Sequence, residues 1–372
     1  MRHGRTHVDM ASTTRRSPIW QALGIFAELL LTAAAICALY IVWQMWWTGV
    51  EAEQVQNSTT KSVNWSDPGK SGGAVSVAKA QEGDPPAQPE NPQYGDLIAQ
   101  VYIPRFGSQW HRNIVEGTTL EQLNRHGLGH YETTQLPGQM GNFAVAGHRN
   151  GYGQPLGDVD KLQEGDAIVI RTKDYWYVYH YTRYEIVLPT DTYVIAPNPE
   201  SQTAAATKRM ITLTTCEPKY TTPTHRWISY GELKYWAKVS DGVPQELTTT
   251  DSSGAVKFAI NETPSISSRI GSLDKVAFGA LALWAILFIA AAVAWRWPLL
   301  RAIRLGERRR PDASIYGGLL RLQPGVAPIR WLLLMILLFA AAVALFQWTF
   351  PWAAANIPFL QQMSNFVAVP QQ

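Results

Sequence analysis

Residues 29–47, 275–297 and 331–350 are three almost unbroken apolar runs in a chain of 372 residues. A helix needs ~20 residues to cross a hydrocarbon layer ~30 Å thick, and each run approaches or exceeds that length. Three transmembrane helices are therefore expected. Tryptophans mark their ends as an interfacial aromatic belt does: Trp43, Trp46 and Trp47 on the first, Trp295 and Trp297 on the second, and Trp331, Trp348 and Trp352 around the third. The first run is long for the apolar core of a signal peptide, and its bulky Trp-rich end offers no small-residue cleavage site, so it reads as an uncleaved anchor.

Arginine placement sets the expected orientation, because basic loops are retained in the cytoplasm. Arg2, Arg5, Arg15 and Arg16 precede the first run; Arg296, Arg301, Arg304, Arg308, Arg309, Arg310, Arg321 and Arg330 lie between the second and third, against only Glu307 and Asp312. Residues 1–28 and 298–330 are expected inside, with 48–274 and the tail 351–372 outside: a multi-pass protein of the cell membrane with its main domain extracytoplasmic. The arginine clusters then need no nucleic-acid partner, and the formal net charge is only +3. Glu28 falls at the cytoplasmic interface, because 29–47 spans unaided.

The outer segment divides by composition. Residues 48–93 are rich in Gln, Ser, Thr and Gly and end in a Pro-rich stretch from Pro85 to Pro92; the polar stretch 241–274 resembles them. Both are expected to be flexible linkers, since such compositions bury too little apolar surface to order themselves. Between them, residues 94–240 carry short runs of Val, Ile, Tyr, Trp and Thr separated by Gly, Pro, Asn and Asp, the pattern of an all-β domain. Strands are expected over Leu97–Ile103, Asn113–Val115, Asn142–Ala146, Asp166–Arg171, Tyr175–Leu188, Met210–Thr215 and Arg226–Val239. Short helical turns are expected near Thr119–Arg125 and Asp158–Leu162.

The chemistry gathers in this domain. Of the two cysteines, Cys37 lies in an apolar run and behaves there as a small hydrophobe, which leaves Cys216 without a disulfide partner. Cys216 ends Thr212-Leu213-Thr214-Thr215-Cys216; Gly147-His148-Arg149 precede it and His225-Arg226 follow. A thiol attacks carbonyls as its thiolate, so it needs a nearby cation or base. An imidazolium at His148 would supply that charge and later protonate a leaving amine, while Arg226 can only act as a fixed donor to a carbonyl or oxyanion. In a strand over 211–216, Thr212, Thr214 and Cys216 share one face; if Arg226 faces the site, His225 does not. His126 and His130 have i, i+4 spacing, but Gly127 and Gly129 argue against a helix and no third ligand is evident, so no metal site and no cofactor are expected.

The run Thr212-Leu213-Thr214-Thr215-Cys216, with Arg226 ten residues beyond, resembles the sortase signature, and Gly147-His148-Arg149 resembles its histidine loop. Gly129-His130-Tyr131, Leu136-Pro137-Gly138 and Tyr152-Gly153 are most similar to class E sortases of high-GC Gram-positive bacteria. The resemblance spans about 94–240. It implies a closed sortase-type β-barrel of about eight strands with short helices, flanked by the three transmembrane helices. It further implies a cysteine transpeptidase that cleaves a C-terminal sorting signal between Thr and Gly, with Cys216 as nucleophile, His148 as general acid and Arg226 positioning the carbonyl. Its partners would be proteins with C-terminal sorting signals and the lipid-linked peptidoglycan precursor whose amine resolves the thioester. Tyr152 and Thr215 would contact substrate, Tyr152 selecting Leu-Ala-x-Thr-Gly over Leu-Pro-x-Thr-Gly and Thr215 lying in the oxyanion pocket. Membrane helices after the core resemble pilus-building class C enzymes, and Asp67-Pro68-Gly69 resembles the lid of that class. A pilin polymerase and a non-catalytic membrane scaffold that binds cell-wall components remain alternatives at this point.

Overall fold

Strands predominate between Leu97 and Lys238 because β-branched and aromatic residues alternate there with polar ones, so each strand buries one face or both. The computed structural model describes residues 17–66, 73–260 and 272–363; Asp67-Pro68-Gly69, and with it the expected lid, lies outside the described residues. The chain forms two units: a helical one, reaching Ile41 and resuming from Ser272 to Phe350, and a β-unit that begins at Val42.

In the β-unit, eight strands close a barrel: β1 Leu97–Tyr102, β2 His111–Glu116, β3 Leu128–His130, β4 Gly141–Gly147, β5 Ala167–Arg171, β6 Tyr175–Val187, β7 Arg209–Glu217 and β8 His225–Lys238. Their order around it is β1-β2-β3-β4-β7-β8-β6-β5. The pairs β2–β3 and β4–β7 are parallel and the others antiparallel. Ile98, Val101, Ile114, Leu128, Phe143, Val145, Ile168, Ile170, Tyr177, Tyr179, Ile211 and Leu213 fill one core. The short β3, absent from the strands expected from the sequence, completes the eight. Its pairing with β2 depends on Gly129, where a Cβ would lie 2.2 Å from the Gly117 carbonyl oxygen.

Two stretches expected as flexible linkers are structured. The first apolar helix, α1 (Pro18–Val42), continues through a π-helical turn (Trp43–Trp47) into α2 (Thr48–Ser62), because extending an existing helix avoids the nucleation cost that a polar segment alone cannot meet. Val50 and Ala52 are buried on it, and Gln56 holds both main-chain and side-chain groups of Asn113, its Oε1 accepting from the amide at 3.1 Å. In the Pro-rich stretch, the Pro86 carbonyl accepts from the Tyr177 hydroxyl at 2.8 Å, and Gln88 binds Thr172 and Asp174. Beyond the barrel, Val243, Leu247, Phe258 and Ile260 bury Tyr102, Trp176 and Val178, and the hairpin of β9 (Thr248–Thr250) and β10 (Val256–Phe258) carries Phe258. Apolar residues this sparse, without period, are invisible to a composition reading.

The helical unit contains α4 (Leu273–Ala294) packed on α7 (Ala327–Ala344). With the helix from Pro18 to Ser62 and that from Ala327 to Asn356, three helices among the described residues are long and apolar enough to cross a membrane. Their outward side chains, such as Leu31, Ile286 and Val293, are exposed, an arrangement that suits lipid rather than water. The basic loop folds into α5 (Pro298–Arg304) and α6 (Ile315–Leu322). Glu28, ten residues inside α1, is not merely an interfacial charge: its Oε2 accepts the Ile315 amide at 2.6 Å and so caps α6.

Candidate active site

Cys216 and His148 leave the barrel at the same end of two parallel strands. In the β4–β7 ladder Ala146 pairs with Thr214, so His148 and Cys216 each come two residues later. The antiparallel ladder of β7 and β8 sets Cys216 opposite Arg226 and Glu217 opposite His225. Arg226 Nη1 consequently lies 3.5 Å from Cys216 Sγ, and His225 turns away to its Thr224 neighbour. Alternation along β7 sends Ile211 and Leu213 into the core and Met210, Thr212, Thr214 and Cys216 to the other face, where Val187, Val194, Ile228 and Tyr230 cover Met210.

Burial determines the resting protonation state. His148 is 3% exposed, and the cost of desolvating an imidazolium lowers its pKa to about 4. Burial pushes the Cys216 thiol up, with Arg226 and then Arg149 pulling it down. At neutral pH the pair is thiol and neutral imidazole, so the fixed cations beside sulfur are guanidinium groups rather than the imidazolium expected at His148. His148 Nε2 lies 2.7 Å from Asn124 Oδ1, on α3 (Leu120–Arg125). An amide oxygen only accepts, so Nε2 carries the proton and Nδ1 is the basic nitrogen.

The other residues fall around this pair. The Tyr152 ring lies 4.9 Å from that of His148, and Tyr152 holds φ +51 in a run with Gly151, Gly153 and Gln154 that is left-handed throughout. For residues with a Cβ such a conformation costs about 1–2 kcal/mol each. Thr215 is buried on the face away from Cys216, its hydroxyl donating to the Gly147 carbonyl at 2.7 Å, so it fixes the peptide next to His148. Three neighbours were not singled out from the sequence: Asn124; Tyr131, whose hydroxyl lies 3.0 Å from Thr214 Oγ1; and Arg149. Arg149 donates to the Cys216 carbonyl at 3.3 Å, pairs with Glu217 and lies over the Trp227 ring. Its place beside His148 in the sequence was the only available signal. Among the described residues no cluster of His, Cys, Asp and Glu suits a metal ion, and His130 instead pairs with Glu116 at 3.0 Å.

The depressed pKa of His148 has a consequence for stability. Its unfolded pKa is about 6.5, so below that pH the unfolded chain binds a proton that the folded one refuses until about pH 4. Stability is fully present above about 6.5 and falls toward 4, by an amount on the order of 3 kcal/mol. Denaturation of the full chain at pH 7.5 and 4.5 should show this loss, reduced by roughly that amount in His148→Gln. Equal losses in both proteins would show that His148 is not buried neutral.

A buried cysteine beside a guanidinium, with a buried histidine at the same end of the adjoining strand of a closed barrel, suits a cysteine acyl-transfer enzyme. Residues 101–234 match the family model described as Sortase domain. Sortase SrtE2 of Streptomyces coelicolor is 32% identical over 247 residues, covering 61% of this chain and 88% of its own. Among solved structures, sortase E from Streptomyces avermitilis is 42% identical, covering 42% of this chain and 99% of its own at a TM-score of 0.38. The SrtA sortase from Actinomyces oris is 38% identical, covering 45% and 96% at a TM-score of 0.43. The chain belongs to the sortase family of cysteine transpeptidases, and its relatives are consistent with a class E-like member.

Proposed function

We propose that this sortase is anchored in the cell membrane with its barrel outside and basic loops inside, and that it cleaves Leu-Ala-x-Thr-Gly or Leu-Pro-x-Thr-Gly signals between Thr and Gly. Cys216 Sγ attacks the Thr carbonyl while its proton passes to His148 Nδ1. Arg226 receives the oxyanion; the C–N bond breaks as His148 returns the proton to the Gly amine, leaving a thioester on Cys216. An amine of the lipid-linked peptidoglycan precursor then attacks that carbon, gives its proton to His148 and expels the thiolate, which His148 reprotonates. The observation that carries this reading is the placing of Arg226 Nη1 3.5 Å from Cys216 Sγ, on the strand face that also bears Thr214.

Tyr152 in this reading selects at the second signal position from its seat beside His148, and Thr215 acts by fixing the Gly147–His148 peptide. Purified full chain is offered both peptides with an added amine, and products are read by mass spectrometry. The expected products are a peptide cut after Thr and its amine conjugate, with the Ala signal preferred and the preference reduced in Tyr152→Ala. No cleavage of either peptide by a folded chain would sink the proposal; a Pro preference would remove Tyr152 as selector.

A further inference from the structure

The loop that follows His148 is held by more than the barrel. Gly151, Tyr152, Gly153 and Gln154 have φ of +67, +51, +79 and +45, a conformation that a free loop with side chains at 152 and 154 does not keep. On one side Arg112 Nη2 donates to the Gly153 carbonyl at 3.2 Å. The other side is built by the turns of helix at the end of the first apolar span. Thr48, 1% exposed, donates its hydroxyl to Gln44 O at 2.7 Å and accepts the Tyr152 amide on the same oxygen at 2.8 Å. Gly49 faces Gly153 so closely that a Cβ there would lie 3.2 Å from the Gly153 Cα, and the Gln44 side chain backs Gly151. The helix that carries these residues is continuous from Pro18 to Ser62.

We propose that the stretch Gln44–Gly49 is a positioning element of the histidine loop, with Thr48 as its principal contact. Thr48, not Tyr152, is the fully buried partner of this part-buried hydrogen bond, and removing its oxygen takes away the acceptor that the Tyr152 N–H uses in its left-handed turn. That turn seats the Tyr152 ring against the His148 imidazole. The loop is thus assembled on the anchoring helix, and a chain cut free between the apolar span and the barrel loses one wall of it. The catalytic meaning of this contact rests on the role proposed for His148; the contact itself does not.

The test uses the full chain in lipid nanodiscs, as Thr48→Val, Thr48→Ser and the parent. Two readings are taken: amide hydrogen exchange over 148–154, and kcat and KM for the signal peptide. Thr48→Val keeps the shape and removes the acceptor. It should speed exchange across 148–154 about tenfold and lower kcat about three- to tenfold, with KM within about twofold, as loss of one part-buried hydrogen bond predicts. Thr48→Ser should restore both. Unchanged exchange in Thr48→Val overturns the proposal, as does faster exchange with unchanged kcat in an active parent. If Val at 48 prevents folding, Gly49→Ala, which presses a methyl on Gly153, should move exchange and kcat together in smaller measure, and failure of either to move overturns it. A parent that cleaves nothing counts against the transpeptidase reading alone, because exchange still decides whether Thr48 holds the loop.

Discussion

With alanine at position 216 the full chain should fold and bind the sorting signal, yet form no thioester and transfer nothing, a loss of more than about 10³-fold. Cys216 is buried and small, so the substitution removes one sulfur from the β7–β8 face without opening the core formed by Ile211 and Leu213. The melting temperature should stay close to that of the parent. Mass spectrometry after a short exposure to peptide should show the acyl adduct on the parent and none on the variant. The other cysteine, Cys37, lies exposed in the first apolar helix and makes a natural control: Cys37→Ala should keep both adduct and transfer. Transfer persisting in Cys216→Ala would remove the covalent mechanism altogether.

How much of this was legible in the sequence depended on how local each cause is. The long strands were readable because the runs of Tyr, Trp, Val and Ile along Tyr175–Val187 and His225–Lys238 are a property of adjacent residues. The spacing of ten residues between Cys216 and Arg226 left the face of Arg226 open, and the β7–β8 register decided it by setting the two opposite each other. β3 was hidden because three residues with glycine at the centre carry no period, and its place depends on the approach of Gly117 to Gly129. α2 was hidden for another reason: its polar residues form no helix alone, but inherit one from the apolar span before it.

In the site, the residues proposed to act on bonds stood out by type and spacing, whereas their neighbours did not. Asn124 orients His148 from a six-residue helix, and no pattern links the two in sequence. Protonation was equally hidden. Sequence shows only a histidine beside a glycine, whereas burial against Asn124 and Tyr152 lowers its pKa to about 4. The imidazolium expected from chemistry alone gives way to a neutral imidazole, and the positive charge beside sulfur comes from Arg226 and Arg149.

That division of labour makes Arg226 the second large effect. Arg226→Ala should lower kcat by about 10²- to 10³-fold, the cost of losing one preorganised oxyanion donor, with KM nearly unchanged. Arg226→Lys keeps a charge but loses the planar fork, so it should recover only part of that loss. A separate readout follows from electrostatics. Arg226 favours the thiolate of Cys216, so its removal leaves the thiol higher still, and alkylation by iodoacetamide should need more alkaline solution in Arg226→Ala than in the parent. The two measurements separate the two duties of one side chain. A full drop in kcat with no change in the alkylation profile leaves the oxyanion role and removes the charge effect. A rise in KM with kcat intact would make Arg226 a binding residue, and the oxyanion would then need another donor among the groups around Cys216.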